Sequence, residues 1–324
     1  MPAEYARRIR RKSSKHQEAD DSTSTAPPDK LNQQQAAVLE LQRMVGNRAA
    51  QALIGQNAAP QAQQLQRQEA ATAPDDIVGA IDPEVQAARN EWNAHRRIHH
   101  YFHNGFESYM QLRPRYQDIG IANPAEYLAL NIVSVTFFGH RTPAHRDMIA
   151  PLQAAETALR QQGVDPTIDS FWAFNPRLTS RGRLSNHAMG RAVDINPRDN
   201  PHVMNADQIR VIEAVTGVNL GTREDAETMS DASADFQDLF NEAWVQEQRQ
   251  RLTELEQADR RSPQARRQKQ LVRAIERQRA TLNTYAARGF LNLDLELIEA
   301  LQDAGFNWGG NWRSEKDFMH FELP

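Results

Sequence analysis

Ser185-Asn-His187-Ala-Met-Gly190-Arg-Ala-Val-Asp194 and, far along the chain, Asp317-Phe-Met-His320-Phe-Glu322 decide how this sequence reads. Together they offer two imidazoles, one ligand carboxylate and one spare carboxylate. A catalytic zinc site needs that set: three protein ligands, an open position for water and a nearby general base. Either segment alone is a weak signal. The two in this order are a strong one.

The local reading follows from spacing. Asp194 stands seven positions after His187. Gly190 permits a sharp turn, and Ala192-Val193 reads as strand, so a loop His and a strand Asp can face one cation. Met319-His320-Phe321 reads as a later strand in which alternation turns His320 away from its neighbours. Asp317, three residues earlier, can reach a metal-bound water without ligating the metal. Glu322 shares the face of His320 and can orient its imidazole as an acceptor.

Around this pair, the 324 residues suffice for one large domain or two smaller ones. Charged residues make up 25%, and the mean hydropathy of -0.72 indicates polar stretches. There is no cysteine, which excludes disulfides and thiolate metal sites, so any zinc is held by His and carboxylate. A net charge of -4 argues against a nucleic-acid binder. No apolar run is long enough to span a membrane. The basic start (Arg7, Arg8, Arg10, Arg11, Lys12, Lys15) is not followed by an apolar segment, so a Sec signal peptide is not expected.

Along the chain, residues 1–30 read as a disordered basic tail, 31–54 as an amphipathic leader helix (Val38, Leu41, Val45, Ala49), and 55–75 as a Gln/Ala-rich linker. Globular sequence starts near Asp76, giving a domain over 76–324. Pro83 to Gln111 reads as helix, with Trp92, Ile98, Phe102 and Phe106 apolar. Leu128 to Phe138 includes a strand, Asp147 to Gln162 is an amphipathic helix, and Ser170 to Phe174 is a strand. Asn205 to Thr216 is a short helix and 217–233 a polar loop. Ala234 to Ala258 and Gln264 to Tyr285 form an antiparallel helical hairpin broken at Ser262-Pro263, a helical insertion spanning about 205–285. Leu293 to Ala304 is a helix capped by Gly305.

Ser-x-His-x-x-Gly-x-Ala-x-Asp, followed late by Trp-Gly-Gly-x-Trp and Asp-x-x-His-Phe-Glu, resembles the zinc peptidases of peptidoglycan: the D-alanyl-D-alanine carboxypeptidases and the L-alanyl-D-glutamate endopeptidases of phage endolysins. The resemblance spans roughly residues 130–200 and 285–324. It implies an α+β fold of the Hedgehog/DD-peptidase kind, a small antiparallel sheet with flanking helices. It also implies Zn2+ on His187, Asp194 and His320, with Asp317 as the base. Asp rather than Glu at 317 is similar to the endolysin branch, which favours an endopeptidase. The family places an arginine near the scissile carbonyl; Arg177 matches better than Arg183. Ser185 flanks the motif. Trp308 and Trp312 either line the substrate groove or belong to the core.

Two other features of the sequence stand apart from this motif pair. His95, His99, His100 and His103 read as the polar face of one helix, without a His-Glu-x-x-His pattern; His140 and His145 receive no role. The leader, with Leu41-Gln-Arg-Met-Val45-Gly46-Asn47-Arg-Ala49, resembles a segment near the N-terminus of cargo and associated proteins of extracellular contractile injection systems. That resemblance implies a particle protein as partner and delivery by injection to act on the cell wall. Two functions follow as expectations: a zinc hydrolase of peptidoglycan stem peptides, or a non-catalytic wall-binding or structural component of an injection particle.

Overall fold

The computed structural model describes residues 82–313 and 315–324. The expectations for 1–30, 31–54 and 55–75 lie outside these residues. Residues 80–324 cluster as one unit.

Three helices open it. α1 (Pro83–Ala94) starts on an Asp82 cap with Pro at its first turn. α2 (Phe106–Asp118) follows Gly105 in the left-handed region, and α3 (Pro124–Asn131) starts on an Asn123 cap. The single helix read over 83–111 is therefore two, joined by a 3-10 turn at Arg96–Tyr101. At the break the Trp92 indole stacks on His99 with ring centroids 3.9 Å apart, and the His99 ring bonds the Trp92 carbonyl. His95, His99, His100 and His103 thus do not form a helix face. The apolar residues of this region gather with Ile132 and Ala188 in a core of their own.

β1 (Ile132–Phe137) and β2 (His140–His145) form an antiparallel hairpin. Phe138 (φ 45°) and Gly139 (φ 80°) close it, both in the left-handed region that a tight two-residue hairpin turn demands. Phe138 is held there by its N–H donating to Glu156 Oε2 at 3.0 Å. α4 (Ile149–Gln161) buries Leu152, Ala155 and Leu159, the face read from the sequence.

A four-stranded antiparallel sheet carries the site. Its order is β3 (Phe171–Trp172), β4 (Ala192–Ile195), β8 (His320–Glu322), β6 (Asn307–Trp308). A separate two-stranded ribbon pairs β5 (His202–Val203) with β7 (Lys316–Asp317). The α+β expectation stands at this level: helices with small antiparallel sheets.

Between β5 and β6 lie α5 (Ala206–Thr216), α6 (Ala226–Leu239), α7 (Glu242–Asp259), α8 (Pro263–Arg288) and α9 (Leu295–Asp303). α6 corrects the loop read over 217–233 and the single helix read from Ala234. Its buried face is Ala226, Met229, Ala232, Ser233 and Phe236, which recur at helical spacing. Asp225 caps it, and Asn241 caps the next helix, so the chain breaks at Phe240. α7 and α8 form the expected antiparallel hairpin, with Glu242 against Arg279, Gln248 against Gln268 and Glu256 against Lys269. This segment shares the main core with the sheet: Val211, Phe236, Ile275 and Leu282 cluster with Val193, Ile195 and Phe321.

Candidate metal centre

His187 sits in a 3-10 turn, Asn186–Met189, between the two cores. Ser185 caps it, its Oγ accepting from the His187 N–H at 3.3 Å. The buried Tyr116 hydroxyl on α2 donates to the Ala188 carbonyl and clamps the turn from behind. Gly190 ends it with φ 68°; a Cβ there would lie 2.6 Å from the His145 amide nitrogen and 2.7 Å from Ile132 Cδ1. Glycine is needed at this position both for its conformation and for the close approach of β2. The chain then enters β4, whose Asp194 is the direct cross-strand partner of His320 on β8 and of Trp172 on β3. Residues so paired share one face of a sheet.

These elements bring three atoms together. His187 Nε2 and His320 Nδ1 are each 3.1 Å from Asp194 Oδ1 and 3.2 Å from each other. The back of each ring fixes its tautomer. His187 Nδ1 lies 2.6 Å from the Ala173 carbonyl, which can only accept, so Nδ1 carries the proton. His320 Nε2 lies 3.0 Å from Glu322 Oε2. Burial opposes ionisation of Glu322, but the bonds from His320 and Asn186 hold its carboxyl below the usual range. It therefore accepts from His320 Nε2–H. In the neutral rings, both nitrogens that face Asp194 present bare lone pairs.

Three lone-pair donors converging without a proton fit a cation. Tetrahedral zinc with bonds of about 2.0–2.1 Å holds its ligand atoms about 3.3 Å apart, close to the observed triangle. The set is buried, with His187 and His320 nearly covered, while the Asp194 side chain is 20% exposed and leaves one side open. Electrostatics agrees. Burial works against Asp194, yet the two imidazoles hold it well below the usual carboxylate range. Burial likewise disfavours an imidazolium at His320, but bonds from Asp194 and Glu322 outweigh it and push His320 up to about 10. Without a cation a proton would occupy the place between these donors.

Asp317 enters from β7. It is buried, its Oδ1 has no hydrogen-bond partner among the described atoms, and its Oδ2 lies 3.6 Å from His202 Nδ1. Burial, helped by the charge of Asp194 and opposed by His202, raises its pKa above the ordinary value. Gly309 packs against the segment bearing Asp317 and His320: a Cβ would meet the Asp317 carbonyl oxygen at 2.5 Å, Asp317 Cβ at 2.9 Å and His320 Cβ at 3.2 Å. At Gly310 a Cβ would instead meet the Trp308 indole.

The aromatic pair divides. Trp312 packs on the ring of His320, centroids 5.2 Å apart, and is half-buried at the edge of a groove that includes Asn311 and Glu322. Trp308 is 1% exposed, its indole N–H donating to the Phe318 carbonyl at 3.0 Å, so it supports β7–β8 from the core. Arg177 lies with Arg183 on an exposed hairpin, where Leu178 bridges Leu184 and the Ser185 N–H bonds the Arg177 carbonyl. The base of that loop is tied to the site through the Asn175 N–H and the His187 carbonyl. Four residues at the site escape sequence reasoning: Asn186, which donates to Glu322 at 2.6 Å; His202; Glu315; and Trp172, 64% exposed in the row that holds Asp194 and His320. Only Asn186, inside the motif, carried a local signal.

Residues 234–323 match the family model described as D-alanyl-D-alanine carboxypeptidase. The match takes in Asp317, His320, Glu322 and both tail tryptophans, and runs back through α7 and α8 into α6; His187 and Asp194 precede it. No curated protein and no solved structure matches the chain. Family match and metal-competent triad together support a metallopeptidase related to the enzymes of peptidoglycan.

Proposed function

We propose that this chain is a zinc-dependent hydrolase of peptide bonds in peptidoglycan stem peptides, of the L-alanyl-D-glutamate endopeptidase or D,D-carboxypeptidase type. One observation carries the reading: two imidazoles with their back nitrogens committed as donors, and one carboxylate, aim three lone pairs at one point beside a buried carboxylate with a free oxygen. Zinc held by His187, Asp194 and His320 would supply Lewis acidity toward a carbonyl oxygen and toward water.

The chain's own groups do the rest. Asp317, with its raised pKa, accepts the proton of the attacking water at Oδ1 and returns it to the leaving nitrogen. Glu322 and the Ala173 carbonyl hold the two imidazoles in orientation and tautomer. Arg177, or Arg183 beside it, neutralises charge developing on the scissile oxygen, a contribution of about 3 kcal/mol for one well-placed donor. Trp312 and Trp172 offer aromatic walls on either side of the ligands. Delivery as cargo of a contractile injection particle, docked through residues 31–54, is the part of this reading that rests on the leader resemblance alone. Among the described residues no helix is long and apolar enough to cross a membrane.

The test is digestion of purified peptidoglycan with and without a chelator, with new termini identified by mass spectrometry. Chelator-sensitive release of a free D-glutamyl amine or of terminal D-alanine supports the proposal and names the bond. No new termini from zinc-loaded protein would leave the wall-binding alternative.

A further inference from the structure

β5 and β7 form a short ribbon in which His202 is the cross-strand partner of Asp317. The His202 imidazole lies between two carboxylates, Nε2 3.2 Å from Glu315 Oε2 and Nδ1 3.6 Å from Asp317 Oδ2. The row runs from the buried Asp317, its side chain 13% exposed, to His202 at 31%. One oxygen of Asp317 thus faces this imidazole, while the other has no partner. The geometry points to His202 as a positioning residue for Asp317, held in place by Glu315, so that Oδ2 faces the imidazole and Oδ1 is left for the reaction. This rests on the hydrolase reading above.

Charge supports the assignment. The groups facing Asp317 are Asp194 from β4, His320 from β8, His187 from the 3-10 turn and His202 from β5. The adjacent Lys316 is turned away, its ammonium donating to the Thr222 carbonyl at 2.8 Å. Asp194 and burial both favour the protonated form of Asp317. His187 and His320 are neutral imidazoles once they ligate a metal. Of the groups around Asp317, His202 is the one outside the metal triad that favours its ionised form.

The test compares zinc-loaded full-length protein with His202→Ala, His202→Asn and Glu315→Gln. Zinc content and melting temperature are measured alongside kinetics, and the Asp317 carboxyl carbon is followed by NMR, assigned by its loss in Asp317→Asn. His202→Ala should lower kcat about 10- to 100-fold with KM and zinc content unchanged, and move the acidic limb of kcat/KM upward by about one pH unit. His202→Asn, which restores a donor without charge, should recover part of kcat but not the limb. Glu315→Gln should move both in the same direction, by less. The Asp317 resonance should titrate at higher pH in His202→Ala. That shift is independent of turnover, so it upholds the pairing of His202 with Asp317 even if no peptide is cut and the hydrolase reading falls. An unmoved limb and resonance, or a kcat loss explained by lost zinc or lost fold, overturns it.

Discussion

Glu322→Gln isolates what the back of a ligand contributes. The substitution keeps the side-chain shape and an acceptor oxygen, but removes the charge that the His320 Nε2–H and the Asn186 amide now share at 3.0 and 2.6 Å. Net, a hydrogen bond to a charged group is worth about 1.5–3 kcal/mol and a neutral one about 0.5–1.5 kcal/mol. The His320 bond should therefore weaken by about 1–1.5 kcal/mol, with the ring less firmly fixed and less basic at Nδ1. Glu322 is partly buried, so solvent screening does not erase the difference. About 1.4 kcal/mol corresponds to tenfold, at the low end of the 10- to 100-fold (about) that partners behind metal ligands typically provide. The assay is titration of metal-stripped protein with zinc against a competing chelator at neutral pH. The melting temperature of the metal-free variant serves as a check that the fold is intact. Affinity within about threefold of wild type, in an intact fold, would refute the argument that Glu322 tunes His320 rather than merely filling space.

Other outcomes follow from the same geometry. Elemental analysis should find one zinc per chain, and His187→Ala or His320→Ala should abolish binding or cut it severely. Asp317→Asn should retain zinc and fold while losing about 10²- to 10⁴-fold in turnover; loss of the metal instead would mean that Asp317 is a ligand. In metal-free protein, His320 is raised from its ordinary value to about 10. Its contribution to stability is then fully present below about pH 6.5 and is lost as pH rises through about 10. The melting temperature of the metal-free chain should fall across that window and zinc affinity should rise; a flat profile in both would sink the assignment. Removing residues 1–75 should leave melting temperature and hydrolysis nearly unchanged, since residues 80–324 form a unit with its own core. The same truncation, or Leu41→Asp with Val45→Asp, should abolish co-purification with an injection particle; normal association would make the leader a bystander.

What the sequence determined by itself was local. The spacing of His187, Gly190 and Asp194, and of Asp317, His320 and Glu322, pointed to a candidate donor set because a tight turn and a strand alternation each fix which side chains share a face over a few residues. The α4 stripe and the Gly305 stop were legible for the same reason: one helix face and one left-handed glycine need no distant partner. Tertiary structure decided whatever rests on residues remote in the chain. His202 meets Asp317 only because β5 pairs with β7 across more than a hundred positions, and no local pattern announces a two-residue ribbon. Trp308 and Trp312 are indistinguishable in sequence, yet one bonds inward to Phe318 and the other lies on His320. The tautomers of His187 and His320 likewise depend on the Ala173 carbonyl and the Glu322 carboxylate. A hydrogen bond acts on whatever the fold brings within 3 Å or so, and sequence separation has no part in it.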